Sequence, residues 1–166
     1  VLVAFQSIYD YVSVNNTQAL ILADNVENIG ITGKGVIEGH GQGVLKSITD
    51  QVEKGHLEKS ALQTRPALIH FNGCSNIKLE GLILRDACGD VQTYSGCKNI
   101  NINNITVESK AVPGSKGMVI SNCDSVTLSN SYFDTTGNEI DTNQASRNVS
   151  VKETINSKGK KLQSKR

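Results

Sequence analysis

Cys74-Ser75-Asn76-Ile77-Lys78-Leu79 returns as Cys97-Lys98-Asn99-Ile100-Asn101-Ile102, and again as Cys123-Asp124-Ser125-Val126-Thr127-Leu128. Ser146-Arg147-Asn148-Val149-Ser150-Val151 is a looser later copy, and Val26-Glu27-Asn28-Ile29-Gly30-Ile31 an earlier one. Positions 76, 99, 125 and 148 are separated by 23, 26 and 23 residues. Each unit is a polar turn followed by apolar-polar-apolar alternation, the pattern of a strand with one buried face. A fixed period of this length is the mark of a stacked repeat, and it takes precedence over any local reading.

Two further strands flank each copy. Ala19-Leu20-Ile21-Leu22, Ala67-Leu68-Ile69-His70-Phe71 and Met118-Val119-Ile120 precede it. Gly35-Val36-Ile37, Leu82-Ile83-Leu84, Ile105-Thr106-Val107 and Ser131-Tyr132-Phe133 follow it. Three short strands per period make one coil, and coils stack with parallel strands at about 4.8 Å. A hairpin meander would need shorter connections rich in Asn-Gly. The pattern therefore predicts an all-β parallel β-helix of about five coils, one domain over residues 1–157. An inserted loop with a helical turn is expected at about 40–64, where Ile48, Val52 and Leu57 stand among polar residues. Open coil ends expose unpaired edges, so self-association through them is a candidate property. No cap is legible at either end.

Composition agrees. Hydrophobic residues are 37% of the 166-residue chain but aromatics only 4%, so Val, Ile, Leu and Ala must build the core. The abundant Asn suits turns that need left-handed backbone. The net charge of +1 calls for no nucleic acid or anionic membrane partner. The tail 158–166 carries five basic residues and no acid, and reads as a solvated end or as a lysine guard on the last strand edge. Cys74, Cys88, Cys97 and Cys123 form no CxxC pair and have no histidine at zinc spacing, so neither metal nor cofactor is expected. Three of them share one repeat position and read as stacked core thiols rather than disulfides. There is no signal peptide and no membrane-length apolar run. Val1-Leu2-Val3-Ala4-Phe5 already reads as a strand, so the chain is expected to begin inside a longer protein.

Three phrases carry a resemblance. They are Asn28-Ile29-Gly30-Ile31-Thr32-Gly33-Lys34-Gly35-Val36-Ile37-Glu38-Gly39-His40-Gly41, Arg65-Pro66-Ala67-Leu68-Ile69-His70-Phe71, and the run from Cys74 through Leu84-Arg85-Asp86-Ala87. Through about Val151 the sequence resembles the polygalacturonases, pectin-cleaving glycoside hydrolases of bacterial, gut type, built as right-handed β-helices of the pectin-lyase kind. The resemblance implies a truncated copy, about half of a full-length member. It implies an acidic pectic chain, α-1,4-galacturonan, as substrate and an extracellular or periplasmic location. It also implies three aspartates on one face, from an Asn-Thr-Asp-Gly-like motif and a Gly-Asp-Asp motif one coil later, acting as an inverting pair with a helper.

Carried onto this chain, the first motif falls on Gly114-Ser115-Lys116-Gly117 and the second on Gly137-Asn138-Glu139. The aspartate positions are thus Lys116, Asn138 and Glu139. A register one residue earlier, Thr136-Gly137-Asn138, contains no acid. The family's later Gly-His-Gly and Arg-x-Lys motifs have no counterpart before Arg166. Gly39-His40-Gly41 matches the former by letters, but stands where the family has a structural turn. His70 reads as a ladder histidine inside a strand, and His56 carries no signal.

The remaining acids are Asp134, Glu139 and Asp141. Glu139 and Asp141, two apart, would share a face in extended chain and are the candidate catalytic carboxyls. Lys116 beside them would hold both ionised and leave no proton donor. Lys116, Lys110 and Tyr94 are the candidate substrate contacts, with Tyr132 as a further stacking aromatic. The expected function is polygalacturonase-like with hydrolysis impaired or lost. The alternatives are a non-catalytic carbohydrate-binding β-helix and an assembly fragment. Sequons at Asn15, Asn104 and Asn148 matter only in a glycosylating host.

Overall fold

A computed structural model describes residues 1–163. The first coils hold β1 (Leu2–Val3), β2 (Val12–Val14), β3 (Thr17–Asp24), β4 (Glu27–Thr32) and β5 (Val36–Glu38), followed by helix α1 (Gly41–Glu53). Next come β6 (Ala67–Asn72), β7 (Ser75–Glu80), β8 (Ile83–Arg85), β9 (Gln92–Ser95), β10 (Lys98–Asn103) and β11 (Thr106–Ser109). The last are β12 (Met118–Ser121), β13 (Asp124–Ser129), β14 (Tyr132–Thr135), β15 (Ile140–Thr142), β16 (Arg147–Lys152) and β17 (Ile155–Asn156). They form three sheets running the length of a parallel β-solenoid. Sheet I is ordered β15-β12-β9-β6-β3-β2, sheet II β16-β13-β10-β7-β4, and sheet III β1-β5-β8-β11-β14-β17.

The repeat seen in the sequence is the register of sheet II. Ile77 pairs with Ile29 and Ile100, and Ile100 with Val126. Inside, apolar rows stack from coil to coil. Leu79, Ile102, Val126, Leu84, Val107 and Phe133 are all essentially inaccessible.

Asn is abundant because the corners need left-handed backbone. Asn28, Asn76, Asn99, Ser125 and Asn148 all have φ between 53° and 62° at the equivalent corner. Asn tolerates that region because its short side chain can bond locally. Here the amides also form a ladder. Asn76 donates to Asn28 at 3.1 Å, and Asn99 donates to Asn76 at 2.7 Å. The next corner runs Gly33, Gly81, Asn104, Asn130, Glu153, again all at positive φ. Glycine is required at 81 because a Cβ there would collide with the Gly33 carbonyl oxygen on the coil below.

The cysteine row is a thiol ladder. Cys74, Cys97 and Cys123 are free and buried. Their Sγ atoms donate to the carbonyls of Ala23, Phe71 and Tyr94 on the preceding coil at 3.6, 3.3 and 3.4 Å.

The interruption at 40–64 differs from the expected loop. It is a 13-residue helix followed by a short 3-10 turn at Lys59–Leu62. Val44 and Ile48, one helical turn apart, seal it onto Ala4, Ile8, Tyr11 and Cys88 as a second small core. His40 is the residue before this helix, in left-handed conformation with φ 47°.

Both ends of the stack are partly covered. At the start, β2 folds antiparallel onto β3 and β1 extends sheet III, leaving β4 as the edge of sheet II. At the other end the basic tail folds back. Ile155 bridges Lys161, the Leu162 amide donates to the Thr154 carbonyl at 2.8 Å, and Leu162 packs on the core. The last three residues of that tail, 164–166, lie outside the described residues.

Candidate functional site

Sheet I positions the site. Its register places Met118 opposite Gln92 and Ile140, so the residues two before each strand also stack. Backbone bonds confirm the column. The Val91 amide donates to the Lys116 carbonyl at 2.8 Å, and the Gly117 amide to the Asn138 carbonyl at 3.0 Å. Asp90, Lys116 and Asn138 therefore stand one above another at the mouths of β9, β12 and β15. Three residues along, His70, Thr93, Val119 and Asp141 form a second row on the same sheet.

Lys116 spans the two rows. Its Nζ bonds Asp141 Oδ2 at 2.7 Å, and that bond, more than nearby charge, raises the Lys116 pKa. Its backbone amide donates to Asp90 Oδ1 at 3.2 Å. Asp90 is the acid that the sequence reading missed. Burial pushes its carboxyl pKa up, only partly offset by the Lys116 amide and by the Lys116 and Arg65 charges. Its spacing of 26 residues from Lys116 equals the step from Asn99 to Ser125, so the period alone could have placed it in the column.

Beside the column lies a groove of about 330 Å³ whose polar lining includes Gln18, Arg65, His70, Asp90, Thr93 and Ser121. His70 Nδ1 is hydrogen-bonded to Thr93 Oγ1 on the next coil, and burial lowers the histidine's pKa, which favours the neutral ring.

The two candidate carboxyls bond different partners. Asp141 is held by Lys116. Glu139 accepts from Asn156 Nδ2 at 2.7 Å, on sheet III. An extended segment puts residues i and i+2 on one face, but 139 precedes the strand, where the chain is still turning the corner.

The other expected contacts also move. Tyr94 is 1% exposed and meets Phe71 edge-on with ring centroids 5.9 Å apart, so it presents no face to a sugar. Lys110 follows β11 on sheet III and is paired with Asp134 at 2.6 Å, away from Lys116's partners. That ion pair raises the lysine's pKa and lowers the aspartate's. Tyr132, on β14, belongs to sheet III as well. Among the described residues no group of three or more His, Cys, Asp or Glu is arranged to hold a metal. No helix among them is long and apolar enough to cross a membrane.

Against this geometry, the profile of the Glycosyl hydrolases family 28 matches residues 2–162. The chain belongs to that family. It is 26% identical over 140 residues to an exopolygalacturonase of Arabidopsis thaliana, covering 84% of this chain and 32% of that protein. It is 27% identical over 119 residues to a polygalacturonase of Malus domestica, covering 69% of this chain and 24% of that one. The chain thus spans about a third or less of the length of these curated relatives. A crystal structure from Parabacteroides merdae, named as a glycosyl hydrolase, superposes with TM-score 0.89 at 37% identity, covering 96% of this chain and 71% of that one. The family 28 exopolygalacturonase of Yersinia enterocolitica shares the fold, with TM-score 0.81 at 18% identity, over 93% of this chain and 38% of that one.

Proposed function

We propose that this chain is a polygalacturonase-type β-helix that binds an acidic pectic chain along sheet I and is impaired in hydrolysing it. One observation carries the reading. At the column position where the family resemblance calls for an aspartate stands Lys116, and its ammonium is bonded to Asp141. Inverting hydrolysis needs one carboxyl that holds a proton and a second that activates water across a gap of about 6.5–9.5 Å. Here one of the two candidate carboxylates is neutralised by a lysine and the other is bonded to Asn156. Losing a general acid alone removes about 10²–10⁴-fold in rate, or roughly 3–5 kcal/mol of barrier. The family relationship supports the glycoside-hydrolase class, and a polymeric cell-wall substrate would place the protein outside the cell or in the periplasm.

The test is a reducing-sugar assay on polygalacturonate, beside the variant Lys116→Asp/Asn138→Asp/Glu139→Asp. The chain itself is expected to release no more reducing ends than buffer, and the variant to gain activity. Turnover by the unaltered chain at rates typical of enzymes would overturn the reading.

A further inference from the structure

The fold-back tail builds a second cavity, of about 330 Å³, at the end of the stack. Its polar lining is Asn138, Glu139, Asn156, Lys160, Lys161 and Gln163. Two of these, Asn138 and Glu139, come from the mouth of β15. The two lysines and Gln163 come from the tail.

Asn156 joins the two halves. It is only 7% exposed, which is unusual for an amide unless every polar atom is used. Its Oδ1 accepts the backbone amides of Lys158 and Lys160, both at 3.0 Å, and its Nδ2 donates to Glu139 Oε1. The Asn156 amide in turn donates to the Lys160 carbonyl at 3.0 Å. The turn that carries Lys160 and Lys161 is thus fixed to the column through one buried side chain. Neither lysine is in an ion pair among the described residues, as is true of most of the surface lysines, so both ammonium groups are available to a ligand.

The chemistry of the lining selects a ligand class. Two unpaired ammonium groups against one carboxylate favour an anion. Amides at 138 and 163, and the Glu139 oxygen that Asn156 leaves free, favour hydroxyl groups around it. A cavity of this size sits at the small end of ligand pockets. We propose that this cavity is a binding site for a single hexuronate unit of the pectic chain, its carboxylate held by Lys160 and Lys161. The proposal rests on the pectic reading above and adds to it a site that the tail supplies.

The experiment is a titration of the ¹⁵N-labelled chain with trigalacturonate, followed by amide and side-chain NMR shifts, with its methyl ester as the uncharged control. The expected result is movement of the Asn138, Glu139, Asn156 and Gln163 signals with the acid and little with the ester. Lys160→Gln/Lys161→Gln should weaken binding about five- to tenfold, as two exposed charge contacts allow. Lys158→Gln, a charge change outside the cavity lining, should leave the affinity within twofold. Both lysines of the pair are exposed, so the double variant is expected to keep its dispersed spectrum. Shifts confined to His70, Thr93 and Ser95 would overturn the tail site while leaving pectic binding intact. Equal loss in the Lys158→Gln variant would reduce the effect to general charge and also overturn it. No shift anywhere would overturn both the site and the pectic reading.

Discussion

Gln92 is a polar residue in the middle of the core, and its energetics are open to a direct experiment. It lies in an inward row between Ile69 and Met118 and is fully buried. Its Oε1 accepts the Tyr94 hydroxyl at 2.8 Å, but its Nε2 finds no partner. Burial pushes the Tyr94 phenol far above its ordinary pKa, so the hydroxyl remains a donor at any working pH. Counting unpartnered buried groups gives the expected energies. The natural pair has one, the Gln92 amide nitrogen. Tyr94→Phe leaves two, both ends of the amide. Gln92→Met leaves one, the Tyr94 hydroxyl, and fits a row that already holds Ile69 and Met118. The double variant leaves none. At about 1–2 kcal/mol for each stranded group, Tyr94→Phe should destabilise by that amount and Gln92→Met should be near neutral. The double variant should be more stable than the natural chain by about 1–2 kcal/mol. Urea unfolding of all four proteins, with unchanged m-values, closes the cycle. A double variant no more stable than the natural chain would refute the reasoning, because it would mean that the Gln92 nitrogen is satisfied in solution.

Two further perturbations follow from single positions. Glu153 has φ 43° at a corner where the earlier coils use Gly33, Gly81, Asn104 and Asn130, so Glu153→Asn should raise the urea midpoint by the equivalent of about 1 kcal/mol. Asp90 has a raised folded pKa, so its contribution favours folding below the unfolded value of 3.8 and is lost as pH rises through the folded value. Asp90→Asn keeps the acceptor for the Lys116 amide, and should be the more stable protein at pH 7 while losing that advantage near pH 3, as melting across the pH range will read.

The fold was legible because stacking turns geometry into repetition. One corner conformation recurs at Asn28, Asn76, Asn99 and Asn148, and a recurrent backbone demand leaves a recurrent residue. The 13-residue helix was only partly legible, as a helical turn within a loop: it opens on Gly41-Gln42-Gly43, and its apolar residues Val44, Leu45, Ile48 and Val52 have helical spacing but stand among polar ones. Tertiary burial against Ile8 and Tyr11, which no local pattern announces, is what stabilises it. In the site, the period puts Lys116 and Asn138 in register with one another, and they stack on adjacent coils of sheet I. Tyr94 is a core residue and not the expected substrate contact. It stands opposite Phe71 across the register, on the inward side of sheet I, so it had to be core. Asp90 lies one coil before the two that carry the motif positions, in the same stacking register, and no motif marks it.

That stacking also explains how such a site can change without harm to the fold. Column residues project from the sheet and contribute little to the apolar rows within. Parallel strands bring successive column positions within about 4.8 Å, where like charges repel. An acid on each coil would set Asp90 against a carboxylate at 116, and that against another at 138. This chain has acid, base and amide in that order, with the base also bonded to Asp141. Lys116→Asp/Asn138→Asp/Glu139→Asp should therefore be less stable than the natural chain at pH 7. Half-exposed charges at coil spacing interact by about 1 kcal/mol per pair, and two pairs are created while one ion pair is lost, so the expected deficit is about 2–3 kcal/mol. Acid should erase most of it, because protonation of the new carboxyls removes the repulsion. If unfolding at pH 7 and pH 3 shows the same deficit, the loss is one of packing at the mouths of β12 and β15. Electrostatic relief then could not account for the lysine at 116.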